Sequence, residues 1–214
     1  MKRHLLGLLV TLLPAFPAFS AQYEFSYNKL FSQLKYNNAE SHPDVKVGYF
    51  MVNPISGETC QITKAWMSKK ANYEAFVIPA SQELPLPIDR HLKKVNPDVF
   101  VETKGEQVCD ISYQVMAEPK YNAGISSGEL SALVPQMNAI MDDLGGMLSS
   151  WFMPEVKGIT VHFDQDVNSL TTTLGNVIPA TGRKVFIRPS DLVEDESVLF
   201  SVPPDKITPW LPSD

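Results

Sequence analysis

Three of the four histidines lie two positions from an aspartate, and these groups are the residues best suited to chemistry. They are His42 with Asp44, His91 with Asp89, and His162 with Asp164 and Asp166. In an extended chain, a spacing of two places both side chains on one face, which suits a metal ion or an acid–base pair. Turns and strand ends also collect Asp and His, so a purely conformational role is the alternative.

The third of these groups offers the best metal candidate. His162, Asp164 and Asp166 come where a predicted strand ends, and three polar ligands could converge there. His91 lies among three basic residues of a predicted helix, and their charges disfavour a cation. The prediction is no metal and no cofactor, with His162, Asp164 and Asp166 as the candidates to the contrary.

Other motifs give little support for an enzyme. No His-Glu-x-x-His zinc motif is present, and Gly182-Arg183-Lys184 lacks the upstream glycine and the Ser or Thr of a phosphate-binding loop. The stretch 122–128 could cradle an anion with backbone N–H groups, but a flexible link ending in a helix cap is the simpler interpretation. A sugar-binding platform is a further possibility, from the aromatic residues Trp66, Tyr73, Trp151 and Trp210.

The chain begins with the pattern of a secretory signal peptide. A basic start precedes an apolar run from Leu5 to Leu13, too short for a membrane span, and small residues follow. Cleavage after Ser20 leaves small residues at both positions that require them, and is favoured over cleavage after Ala21. We therefore predict a leader over residues 1–20 and a single secreted domain over residues 21–214.

The charge balance of the mature chain excludes some partners. Losing Lys2 and Arg3 with the leader leaves 18 − 2 = 16 basic against 24 acidic residues, a net charge of 16 − 24 = −8. A surface of this sign repels nucleic acid and anionic lipid. We expect no nucleic-acid partner and no stable membrane span in the mature chain.

The two cysteines, Cys60 and Cys109, predict a structural disulfide. An even count in an exported protein favours a bridge. Cys109 alternates in phase with Ile111 and Val115 in a predicted strand, so its side chain points with the apolar face. The chain has no Cys-x-x-Cys motif, so a redox-active pair is the less favoured alternative.

The longest apolar pattern runs from Ser126 to Trp151 and predicts a helix. Its apolar residues recur at steps of three and four, and Ser126 with Glu129 forms a capping-box start. Pro135 removes one backbone hydrogen bond, so a kink is expected there. We expect this helix, including Met147 and Trp151, to form the centre of the core.

Predicted strands outnumber helices and follow one another in sequence. They include Val45–Val52 and, near the C-terminus, Gly158–Phe163, Lys184–Ile187 and Val198–Val202. A Pro-Asp/Glu-Val tripeptide precedes three strands, at residues 43, 97 and 154. The predicted fold class is α+β, a mostly antiparallel sheet packed on one long Pro-kinked helix.

Several segments resemble a known family. They are HPDVKVGYFMV, ELPLPIDRHLKKVNPDVFV, CDISYQVMA and LGGMLSSWFMPEVKGITVHF, with Cys60 between the first two. The chain is similar over residues 23–163 to exported proteins of Gram-negative bacteria known only as a domain of unknown function. The resemblance implies one secreted domain with paired cysteines and no known activity, and it implies no site.

The function predicted from these features is non-catalytic. We expect a periplasmic module that binds an unknown envelope protein or a small ligand, because a leader and a disulfide are indicated and no catalytic constellation is evident. One alternative is a metal-dependent or acid–base hydrolase that uses the His/Asp pairs. A second alternative is a glycan-binding module.

Overall fold

The computed structural model of the chain describes residues 20–118, 120–146 and 154–212. Its α-helices are α1 (Tyr27–Leu34), α2 (Arg90–Val95) and α3 (Ser127–Gly145). The strands up to the third helix are β1 (Ser20–Ser26), β2 (Val45–Val52), β3 (Ile62–Lys69), β4 (Asn72–Ala75), β5 (Asp98–Lys104), β6 (Asp110–Ala117) and β7 (Gly124–Ser126). Those after it are β8 (Gly158–His162), β9 (Ser169–Thr172), β10 (Val177–Thr181), β11 (Lys184–Ile187), β12 (Ser197–Leu199) and β13 (Lys206–Trp210).

The fold is mostly β, so the prediction of an α+β fold organised around one long helix is wrong. Strands account for 40% of the residues and helices for 22%. Strands β9, β10 and β13 were not predicted, because they are short and two of them contain a proline, which reads as a strand breaker. The predicted strand Val45–Val52 is confirmed with the same bounds.

A four-stranded sheet and α1 enclose the first of two hydrophobic cores. The strand order is β1-β5-β3-β4, and all pairs are antiparallel. Helix α1 buries Tyr27, Leu30, Phe31 and Leu34, as their helical spacing predicts. Helix α2 begins where the Asp89 side chain accepts the His91 N–H at 2.6 Å, which confirms the predicted cap.

The antiparallel ribbon β2–β6 connects the two cores. Tyr49 and Met51 of β2 pack into the first core, while Val45 and Val47 of the same strand pack into the second. The predicted bridge Cys60–Cys109 is confirmed; it lies in the first core, with both cysteines buried. On the chain-entropy model, closing a loop of this length stabilises the fold by roughly 4 kcal/mol.

A seven-stranded sheet and α3 enclose the second core. The strand order is β13-β8-β11-β10-β9-β12-β7, with antiparallel pairing throughout. Leu130, Leu133, Met137 and Ile140 of α3 are fully buried against the sheet. Burying four such side chains contributes on the order of 6–12 kcal/mol before chain entropy is subtracted.

Helix α3 is shorter than predicted. Its capping box is confirmed: the Ser126 N–H donates to Glu129 Oε2 at 2.8 Å, and the Glu129 N–H donates to Ser126 Oγ at 3.2 Å. It continues as one helix through Pro135 and ends at Gly145. Met147 and Trp151, predicted to belong to it, lie outside the described residues.

The predicted leader also lies outside the described residues, apart from Ser20, where β1 begins. In the part of the chain that the structure covers, no helix is both long and apolar enough to cross a membrane.

Candidate functional site

The three histidines do not form one cleft. His42, in the turn before β2, is fully buried, and its Nε2 lies 3.2 Å from Oδ2 of Asp143 in α3. His91 is on the exposed helix α2, and His162 is the last residue of β8. The groove lined by His162 is lined by neither His42 nor His91. The convergence that a hydrolase built on the His/Asp pairs would need is therefore absent among these residues.

His162 lies between two lysines, not among metal ligands. The strand register places Lys184 of β11 and Lys206 of β13 directly opposite it on either side. Burial and then the charges of Lys206 and Lys184 lower the pKa of His162 to about 3. The ring is therefore neutral at physiological pH, and its Nε2 lies 2.9 Å from Thr208 Oγ1.

This arrangement does not favour the metal candidates His162, Asp164 and Asp166. Among the described residues, no group of three His, Cys, Asp or Glu side chains could hold a metal ion. Asp164 lines the same groove as His162, whereas Asp166 lies beside Gly182. Two lysine charges next to the imidazole repel a cation.

Lys206 is a partly buried lysine whose ammonium group contacts neutral groups. Its Nζ donates to Gln114 Oε1 at 2.8 Å and lies 4.5 Å from the centre of the Phe50 ring. No carboxylate oxygen of the described residues lies within 4.0 Å of this ammonium group. Burial lowers the pKa of Lys206, and Lys184 lowers it further against the opposing effect of Asp205. The ammonium group is thus partly desolvated and held by neutral groups.

Lys206 and His162 line a groove between the two halves of the molecule, which we call the central groove. Its volume is about 1230 Å³, and it is lined by residues that include Gln114, His162, Lys184, Asp205, Lys206 and Thr208. Its walls come from β6 and the connection before β3 on one side, and from β8, β11 and β13 on the other. At this groove β6 runs beside the edge strand β13 without forming a ladder with it in the described residues.

The aromatic residues suggested by the sequence have different environments. Trp66 stacks on Phe100 and Tyr73, with ring centres 5.2 and 6.3 Å apart, so its faces are engaged by neighbouring strands. Trp210 instead contacts the half-exposed Phe186 and lines a groove of about 450 Å³, which we call the aromatic groove. Trp151 lies outside the described residues.

Residues 124–128, Gly-Ile-Ser-Ser-Gly, have the Gly-x-Ser-x-Gly spacing of a serine nucleophile, which sequence reasoning missed. The structure gives Ser126 another role. Its φ of −80° is unstrained, and its hydroxyl donates to Glu129 Oε2 at 2.8 Å as part of the helix cap. Gly124–Ser126 is strand β7, paired with β12, rather than a flexible link or an anion-binding loop.

The fold and the central groove define a mostly β protein with two cores, a buried disulfide and a polar groove between its halves. The chain belongs to the family described as "Protein of unknown function (DUF2987)", whose model matches residues 19–163. The resemblance seen in the sequence is thereby confirmed. No curated protein and no solved structure matches the chain.

Proposed function

We propose that this protein is an exported periplasmic module that binds a small anionic ligand in the central groove without catalysing a reaction. The observation behind the proposal is the partly desolvated ammonium group of Lys206, which no carboxylate neutralises within 4.0 Å in the described residues. Asp205 stabilises the charge of Lys206 only from beyond 4.0 Å, so an anion bound directly at the ammonium group would recover more of the lost hydration.

The surroundings of Lys206 suit an anion of small size. Lys184 supplies a second positive charge across His162, and the Thr208 hydroxyl offers a neutral hydrogen-bonding group. A volume of about 1230 Å³ is ample for a small molecule, and the polar lining fits a hydrophilic one. The neutral imidazole of His162 can donate or accept a hydrogen bond without adding charge.

Export is supported by two features. The first twenty residues have the composition of a signal peptide. The bridge Cys60–Cys109 is buried in the first core, and a structural disulfide is typical of proteins folded in an oxidising compartment.

Mass spectrometry of the protein from its native host tests export: we expect a mature chain starting at Ala21 or Gln22, with no thiol alkylated before reduction. An intact leader would contradict export.

An NMR titration tests the binding site. Acetate and inorganic phosphate are added separately to ¹⁵N-labelled protein at pH 6 and constant ionic strength. We expect saturable shifts at the amides of Gln114, His162 and Lys206, and their loss in Lys206→Met. Lys157→Met, which removes a cation paired with Glu155 outside the groove, should leave them unchanged. Shifts that do not saturate, or that persist in Lys206→Met, would refute the proposal.

A further inference from the structure

The central and aromatic grooves lie on one face of the same sheet. In the register of β11, β8 and β13, the row His162–Lys184–Lys206 is followed along β8 by the row Thr160–Phe186–Thr208. The next residue on this face is Gly158, opposite Trp210. The intervening residues, such as Val161 and Val185, point into the second core. The charged end and the aromatic end therefore lie on the same face of the sheet, with Thr160, which is 6% exposed, between them.

Two aromatic rings meet beside Gly158 on this face of the sheet. Phe186 and Trp210 lie on the strands that flank β8, yet their ring centres are 6.3 Å apart and inclined by 50°. A Cβ at position 158 would come within 2.4 Å of the Ile187 carbonyl oxygen, so the close approach of β8 to β11 beside these rings requires glycine. Phe186 remains 40% exposed. The rings form a tilted apolar platform that is open to a ligand.

Fixed polar groups border this platform. The Arg188 guanidinium donates from Nη2 to Asp191 Oδ1 at 2.8 Å and from Nε to the same oxygen at 3.1 Å. Both residues line the aromatic groove, as does Asn176. An apolar platform flanked by planar donors and acceptors suits a sugar ring, whose C–H face packs on aromatic carbon while its hydroxyls form hydrogen bonds at the edge.

The distance between the two ends sets the length of the ligand. Gly158 and His162 are four residues apart on β8, which corresponds to about 13 Å in an antiparallel strand. This length suits a disaccharide or trisaccharide, not a single sugar. The two lysines at the far end call for a negative charge on that part of the ligand.

We infer that the ligand is a short acidic oligosaccharide, with one ring on Phe186 and Trp210 and a carboxylate at Lys184 and Lys206. The inference rests on the proposed function, since it assigns a chemical class to the anion of the central groove. It also gives the aromatic groove a role, because the two grooves then form a single elongated site.

The experiment measures binding of trigalacturonate, and of the N-acetylglucosamine–N-acetylmuramate disaccharide, by calorimetry and tryptophan fluorescence. We expect one of these probes to bind the mature protein at least about tenfold more tightly than maltotriose, which has no carboxylate. Trp210→Thr, which keeps a strand-forming residue, should weaken that binding by about tenfold or more, as should Lys206→Met. Trp66→Phe is the matched control and should retain the affinity, because Trp66 stacks in the other sheet.

Two results would overturn the inference: no binding of either acidic probe, or equal affinity in the mature protein and in Trp210→Thr. Phe186→Thr provides a second test of the platform if Trp210→Thr does not fold, and equal affinity there has the same meaning. If acetate still gives shifts that depend on Lys206 while the saccharides fail, the oligosaccharide inference fails and the anion site stands. If acetate and phosphate fail as well, the proposed function fails with it.

Discussion

At the scale of single residues, the protein buries or partly buries several ionisable side chains. Neutral groups next to them supply their hydrogen bonds and contacts. Lys206 is held by an amide oxygen and an aromatic ring, and His162 faces a hydroxyl. Glu196 is also buried, yet the Thr172 hydroxyl, the Val193 N–H and the Asn176 side chain lower its pKa. These groups differ in one respect: the hydrogen bonds of Glu196 stabilise its charged form, whereas burial at His162 and Lys206 opposes it.

The lowered pKa of His162 predicts a loss of stability in acid. In the unfolded chain the imidazole protonates as pH falls below about 6.5, whereas in the folded protein it stays neutral until about pH 3. The unfolded state therefore binds more protons between these values, and the free energy of unfolding falls by up to about 1.4 kcal/mol per pH unit as pH decreases.

Urea unfolding at pH 4.5, 5.5, 6.5 and 7.5 measures this effect, with His162→Gln as the comparison. The carboxylates titrate in both proteins, so the difference between the two pH profiles isolates the imidazole. We expect the variant to lose less stability on acidification. Parallel profiles would show that His162 is not desolvated in solution.

At the scale of elements, helix α3 anchors the starts of two strands that lie on either side of the second core. The Gln136 side chain accepts a hydrogen bond from the backbone N–H of Asp44, immediately before β2, and donates one to the Asp44 carboxylate. The Asn138 side chain accepts a hydrogen bond from the N–H of Val156, two residues before β8, and donates one to the C=O of the same residue. Two copies of the Pro-Asp/Glu-Val tripeptide, at residues 43 and 154, are thus hydrogen-bonded to helix α3. These bonds fix β2 and β8 relative to each other.

Close packing of β8 against β11 gives a prediction at this scale. Gly158→Ala places a methyl group within 2.4 Å of a backbone oxygen, so the strands must separate. We expect a loss of about 1–3 kcal/mol in the free energy of unfolding. Gly128→Ala is the control: no atom lies within 4 Å of the added carbon, and alanine favours the helix, so stability should rise by up to about 1 kcal/mol. Equal effects on chemical denaturation would contradict the steric argument.

At the scale of the whole molecule, the second core includes residues beyond the segment that the family model matches. The family model stops at residue 163, just after β8. Both neighbours of β8 in the sheet, β11 and β13, come from the segment that follows. This segment also supplies buried core residues, among them Leu170, Val185, Ile187 and Ile207. Residues beyond 163 are therefore a structural part of the second core.

Truncation tests this dependence. A chain that ends at Phe163 would expose the sheet-facing side of α3 and leave β8 without either hydrogen-bonded neighbour. We expect this fragment to lose cooperative urea unfolding and near-UV circular dichroism, both measured against the full mature chain. A fragment that unfolds in one transition at the midpoint of the full chain would show that β9–β13 are dispensable.

Features that depend on local chemistry could be predicted from the sequence. The apolar periodicity of α1, the caps Asp89 and Ser126, the strand Val45–Val52 and the pairing of the only two cysteines are all encoded within short segments or by composition. The family resemblance could be recognised from the sequence for the same reason, since it rests on contiguous runs of residues.

Features that depend on distant segments could not be predicted in this way and are seen only in the folded protein. The balance between helix and strand was misjudged because β9, β10 and β13 are stabilised by partner strands rather than by their own apolar pattern. The charged row joins residues 162, 184 and 206, and burial, followed by the charges of the two lysines, lowers the pKa of His162 so that its imidazole is neutral. Register between strands sets such neighbours, and no spacing within one segment of the chain encodes it.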